Sequence, residues 1–134
     1  MIKIKGFTLP EVVITIAIVG ILALAAVPVY RGYVRKSMAT EGKALLAEIN
    51  AAEQVYYSRN GHFYATSNAN GEGNTTVLGI DARSNKYFTA YKITTADDDK
   101  FTAVIESGGA DKSLTLNGSL TDEPKIIDNF SNKE

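Results

Sequence analysis

The chain has 134 residues, 45% of them hydrophobic, and a formal net charge of −1 from 14 basic and 15 acidic side chains. That near-neutrality offers no electrostatic footprint for nucleic acid, so no nucleic-acid partner is predicted. Cysteine is absent, so whatever domain forms is held by packing or by its neighbours rather than by disulfides.

The N-terminus opens on a short basic leader, Met1 to Lys5, with Lys3 and Lys5 as its charges. From Val12 to Tyr30 there are 19 residues without a charge, close to the roughly 20 that a helix needs to cross a hydrocarbon core about 30 Å thick. Glu11 stands alone at the start of that run. A carboxylate at such a depth is costly unless protonated or paired, which marks it as a functional residue. A secretory signal peptide cut near Ala23-Leu24-Ala25 would be shorter and would not carry Glu11. An ordinary single-span anchor explains the length and the leader but gives no reason for Glu11 or for Gly6-Phe7. Charge bias does not orient the span, because Lys3 and Lys5 precede it while Arg31, Arg35 and Lys36 follow it.

Residues 31 to 134 suffice for one small domain. The helical pattern continues into it: Met38, Leu45, Ile49, Ala52 and Tyr56 recur at intervals of three, four or seven and share one stripe, with Lys43, Glu48, Glu53 and Arg59 placed elsewhere around the helix. Asn60-Gly61 then stops it. One helix from Thr8 to Arg59 is expected, on the order of 78 Å long. Gly20 and Pro28 are its weak points, since Gly adds backbone freedom and Pro deletes a hydrogen bond.

From Gly61 to Lys86 the chain is rich in Asn, Gly, Ser and Thr, with Asn70-Gly71 as a turn signal, and reads as a long loop of low regularity. Tyr87 to Thr95 and Phe101 to Glu106 are β-branched and aromatic runs separated by Ala96 to Lys100, which suits an antiparallel hairpin. Ser113 to Leu116 and Ser119 to Thr121 flank Asn117-Gly118, read as a two-residue hairpin turn. Gly108-Gly109 is a connecting turn, and the tail from Asn129 is polar. The expectation is an α+β fold in which three or four antiparallel strands pack one face onto the helical stripe.

Chemistry is sparse. The one histidine, His62, sits beside aromatic residues, and no nucleophile, base or phosphate-loop constellation accompanies it, so no enzyme and no cofactor are expected. Asp97-Asp98-Asp99 lacks the Gly and distal Glu of a calcium loop and reads as a solvated hairpin tip, not a metal site. Tyr30, Tyr33, Tyr56, Tyr57 and Phe63 read as packing residues rather than as an electron path. Asn74-Thr75-Thr76 and Asn129-Phe130-Ser131 fit the glycosylation sequon.

The peptide Gly6-Phe7-Thr8-Leu9-x-Glu11, with its basic leader and following apolar run, resembles the class III signal of the type IV pilin superfamily. Gly20 and Pro28 fall where pilins often carry Gly and Pro, and Glu53 to Tyr64 is similar to the helix end and following loop of short minor-type pilins. One departure is Pro10, where most pilins have Ile or Leu; if the helix begins at Phe7, Pro10 is its fourth residue and removes only an unused donor.

The resemblance implies cleavage between Gly6 and Phe7 by an inner-membrane prepilin peptidase, methylation of the Phe7 amine, and pairing of Glu11 with that amine on an adjacent subunit. It implies a leader (1–6), a transmembrane and filament-core helix (7–30) and a head outside the cytoplasm (31–134: helix 31–60, loop 61–86, sheet 87–128). Implied partners are membrane lipid before assembly, an inner-membrane assembly platform, and identical or homologous subunits in a cell-surface pilus. The same N-terminus also serves a pseudopilin of a type II secretion or DNA-uptake apparatus. A reading from another class is a membrane-tethered module whose loop 61–86 binds a ligand.

Overall fold

The computed structural model describes residues 6–66, 74–97, 99–107, 113–119 and 123–128. A single helix, α1 (Leu9–Asn60), is followed by a short ladder of β1 (Asn74–Thr75) with β2 (Ile80–Asp81), a 3₁₀ turn (Ala82–Ser84), and four strands: β3 (Tyr91–Asp97), β4 (Lys100–Glu106), β5 (Ser113–Ser119) and β6 (Lys125–Asp128). The chain divides into two compact units, up to Lys36 and from Ser37 onward. The predicted α+β class, the single long helix and the antiparallel sheet are borne out.

In the first unit the helix has no cover from its own chain. Every residue from Gly6 to Gly32 is exposed, the apolar Ile14, Ile16, Val19, Ile21 and Leu24 among them.

In the second unit α1 is amphipathic, and Met38, Gly42, Leu45, Leu46, Ile49 and Glu53 are its buried residues. Three of the predicted stripe residues, Met38, Leu45 and Ile49, lie in that face; Ala52 and Tyr56 are half-buried. The helix stops where Asn60-Gly61 predicted, because Gly61 adopts a φ of 75° and its N–H donates to the Tyr57 carbonyl at 2.8 Å. Gly42 brings helix and sheet together: an added Cβ there would overlap the Leu114 side chain and lie 2.8 Å from Phe88.

The large sheet has the order β3-β4-β5-β6, all antiparallel. Its inward residues alternate large and small across the register: Ala103 lies between Ile93 and Leu116, and Phe101 lies opposite Gly118. This corrects the expected turn at Asn117-Gly118, which sit inside β5. The physical reason is steric, since a Cβ on Gly118 would run into the Phe101 ring, so glycine here serves a close approach and not a turn. The reversal between β5 and β6 falls after Ser119.

Two further expectations change. Strand β3 begins at Tyr91, not Tyr87, because the Glu41 carboxylate accepts the backbone N–H groups of Lys86 (3.2 Å), Tyr87 (2.7 Å) and Phe88 (3.1 Å), which removes them from any ladder. The segment 61–86 is also more regular than expected, with the β1–β2 ladder turning at Gly79 (φ 72°) and the 3₁₀ turn capped by Asp81. The turn signals at Asn70-Gly71 and Gly108-Gly109, the residue Asp98 and the tail from Asn129 lie outside the described residues.

Glu53 is the largest departure. Expected off the buried stripe, it is fully buried, four residues after Ile49 on the same face, and its Oε2 accepts the Tyr64 N–H at 2.9 Å. Glu53 and Glu41 therefore tie the two ends of the connecting segment to the helix, in a chain without disulfides. Phe63, next to Tyr64, packs its ring 4.8 Å from both Tyr57 and Phe101, so these aromatics are core.

Burial pushes the Glu53 carboxyl up to about 7, against the weaker opposing effect of the Tyr64 N–H. Its folded pKa thus lies above its unfolded one, so the native state binds more protons between the two values. Stability is then greatest in acid and falls as pH rises from about 4.5 to about 7, by on the order of 3 kcal/mol. Glu53→Gln keeps the acceptor for Tyr64 and removes the titration. Its melting temperature is expected to exceed that of the wild type above neutral pH and to stay level across this interval; parallel pH profiles for the two proteins would show that Glu53 is ionised in the fold.

Candidate processing and assembly site

Gly6, Phe7 and Thr8 precede the helix in non-helical conformation, and Phe7 is 87% exposed. Thr8 is the N-cap. Its carbonyl takes the first helical hydrogen bond, from the Val12 N–H at 3.2 Å, while its own N–H and hydroxyl both donate to Glu11 Oε2, at 2.7 and 2.6 Å. This is the reciprocal half of a capping box, in which a Glu at the third helical position reaches back to the cap. Thr15 continues the pattern, its hydroxyl donating to the Glu11 carbonyl at 2.7 Å.

Glu11 thus has a local structural role that its isolation in the apolar run did not suggest. The signal was present in the sequence as Thr8-x-x-Glu11 ahead of an apolar stretch. The cap uses only one carboxylate oxygen: Oε1 carries no hydrogen bond among the described residues. The group can therefore hold its own helix start and face an incoming cation with the other oxygen.

Pro10 is the second residue of α1, not the fourth as a start at Phe7 would make it, since Thr8 caps one residue before Leu9. Its missing N–H belongs to the first turn, where no intrahelical acceptor exists, so the departure at this position costs the helix little. Gly20 and Pro28 both lie within the continuous α1, where Pro28 leaves the Leu24 carbonyl without its usual donor. Gly6, Phe7 and Glu11 are within one short segment; Gly20 and Pro28 are more than one helical turn away. Sequence reasoning missed Glu41, for which the only signal was a carboxylate on the helix.

Among the described residues no group of three or more metal-ligating side chains converges. His62 is exposed, with its Nδ1 3.1 Å from the Asn60 carbonyl and its ring edge-on to Tyr56. The Tyr57 hydroxyl donates to Asp99 Oδ1 at 3.3 Å, which places Asp99 in a packing contact. Among the described residues, the N-terminal constellation combines an exposed peptide bond, a helix start and a carboxylate with spare capacity at the head of the uncharged run.

A long N-terminal helix whose first half is apolar and exposed, followed by an antiparallel sheet, defines the pilin class of α+β fold. The chain belongs to the type IV pilin family. Residues 1–27 match the prokaryotic N-terminal methylation motif, and residues 28–115 match the family described as type IV minor pilin ComP, DNA uptake sequence receptor. The chain is 36% identical over 124 residues to the fimbrial protein EcpC of Eikenella corrodens, covering 88% of this chain and 76% of that protein. It is 32% identical over 114 residues to the type IV major pilin protein PilE1 of Neisseria gonorrhoeae, with 82% and 57% covered. A fimbrial protein of Neisseria meningitidis is 38% identical over 74 residues, covering 55% of this chain and 44% of its own length. The chain thus spans about half the length of the Neisseria relatives. No solved structure matches it significantly.

Proposed function

We propose that this pilin is a structural subunit of a type IV pilus-like filament. Its head lies outside the cytoplasm, and the apolar half of α1 holds it in the inner membrane until prepilin peptidase cuts between Gly6 and Phe7. With the help of an inner-membrane assembly platform, the same helix then passes from lipid into the core of a cell-surface filament of identical or homologous subunits. Its part is structural rather than catalytic. The observation that carries this reading is the Glu11 carboxylate, half engaged in the cap and half open, at the start of the apolar, exposed half of α1. A protonated amine on Phe7 of a neighbouring subunit would neutralise it during transfer out of lipid. Repeating one such head-to-tail contact generates an open helix. Gly20 to Pro28 is the stretch that yields as subunits pack, because both residues weaken the helical ladder. The fimbrial relatives favour a pilus over a secretion pseudopilus.

Mature protein is expected to begin at an N-methylated Phe7, read by mass spectrometry of its N-terminal peptide. A start at Met1, or at Ala26 after signal-peptidase cleavage, would remove the processing step from this account.

Glu11→Gln keeps both the size of the side chain and an acceptor for Thr8, so the cap persists while the charge is lost. Membrane insertion and cleavage should continue, since the scissile bond lies several residues away. Assembly should drop sharply, because an uncompensated buried amine costs about 3 to 5 kcal/mol. Filaments sheared from cells, compared with the membrane-bound pool, measure this; an equal sheared yield would mean that the Glu11–Phe7 pair does not set subunit register.

The match over residues 28–115 favours a second reading, that this subunit serves DNA uptake and contacts DNA through its head. The composition gives such contact little long-range attraction, and Arg83 is engaged by Asp81 at 2.8 Å, which holds the Asp81 carboxyl at about 2. Fluorescence anisotropy of labelled duplex DNA with the detergent-solubilised chain tests it. If the head contacts phosphates, affinity falls steeply as salt rises; no binding at low salt would leave the structural role alone.

A further inference from the structure

The exposed face of α1 in the first unit carries a groove of about 700 Å³ that begins at two guanidinium groups and runs along an apolar floor. Arg31 and Arg35 line its head, and Pro28, Val27, Leu24 and Gly20 line the floor beyond them. Neither guanidinium has an ion-pair or hydrogen-bond partner among the described residues. They are four residues apart on one face, so their side chains emerge as neighbours and repel each other. Nothing among the described residues offsets that repulsion, whereas an anion placed between them would reverse its sign. Arg also matches the planar oxygens of a phosphate with paired N–H donors.

Depth supplies the identity of the anion. The uncharged run from Val12 to Tyr30 is about 28 Å long at the helical rise, so Arg31 falls at the boundary of the hydrocarbon core. Tyr30 and Tyr33 stand exposed at the same level, where aromatic residues with a polar tip favour the headgroup zone. From Gly20 to Arg31 the rise is about 16 Å, which matches the roughly 15 Å of a single leaflet. The groove therefore has the length of one acyl chain and a cationic end where a phosphate would sit.

We propose that Arg31 and Arg35 hold the headgroup phosphate of one anionic phospholipid of the leaflet at the C-terminal end of the span, with an acyl chain lying along Gly20 to Pro28. The site belongs to the membrane-resident subunit, and so rests on the spanning role proposed above. It covers the stretch containing both helix-weakening residues, and the lipid must leave before neighbouring subunits can occupy that face. Loss of the lipid is then part of assembly.

The test uses the full chain reconstituted in phosphatidylcholine vesicles doped with a phosphatidylglycerol that carries a photoactivatable group on its acyl chain. Flotation with the vesicles is read first, and failure to float would overturn the spanning role and this site with it. Labelling is then mapped by mass spectrometry and should concentrate between Gly20 and Pro28. At about a fivefold contribution per cationic residue near a charged surface, Arg31→Gln or Arg35→Gln should cut labelling roughly fivefold and the double variant roughly thirtyfold. Lys36→Gln, which removes the same charge outside the groove, should cut labelling by less than either arginine variant does. A chain that floats yet labels equally with and without the two arginines, or that loses as much with Lys36→Gln, or that labels as well with a photoactivatable phosphatidylcholine, would overturn the site while leaving the spanning role intact.

Discussion

The constraint on which the rest depends is an apolar helix surface that its own chain does not cover. From Val12 to Tyr30 no charge interrupts α1, and every residue is exposed. Soluble helices bury one face and wet the other; a helix apolar all round has to be enclosed by lipid or by other helices. A membrane and a bundle of identical subunits are two such enclosures, and the function proposed above has the subunit pass from one to the other. That accounts for the simple composition of the first half of α1, against which Glu11, Gly20 and Pro28 stand out.

Three carboxylates on one helix show how environment assigns roles to the same group. Glu11, in the first turn, accepts from a cap and keeps one oxygen available. Glu41 is partly exposed and gathers three consecutive backbone N–H groups, fixing the chain just ahead of β3. Glu53 is buried, accepts one N–H, and holds its proton to about neutral pH because burial disfavours the ion more than one hydrogen bond favours it. The second and third act as clamps on the segment between helix and sheet. A hydrogen bond contributes about 1 kcal/mol net, so the four N–H groups that these two carboxyls gather together reach the lower range for a disulfide, and the chain has no cysteine to supply one.

Packing of the head rests on matched extremes of size. Phe101 lies against Gly118, Ala103 sits between Ile93 and Leu116, and Gly42 admits Leu114 and Phe88 to the helix surface. With only 98 residues in this unit, each close approach counts, because small cores stay near the stability threshold.

The sequence by itself determined the features that depend on local period and local chemistry. A run of uncharged residues is a property of neighbours along the chain, and so is the stop at Asn60-Gly61, where a glycine takes the left-handed conformation and the helix cannot continue past it. The stripe of Met38, Leu45 and Ile49 was legible for the same reason, as was the position of Glu11. Tertiary structure decided what depends on a distant partner. Asn117-Gly118 has the composition of a turn, yet Phe101 on the adjacent strand requires a residue without a side chain at 118, and the strand runs through. Tyr87 has the composition of a strand, yet Glu41, more than forty residues earlier, takes its N–H. Glu53 is an ionisable residue that the pattern placed outside, but the chain returning at Tyr64 offers a donor, and the buried carboxyl holds its proton to about neutral pH. In each case the deciding atom belongs to a residue far along the chain, and only folding brings it within a few ångströms.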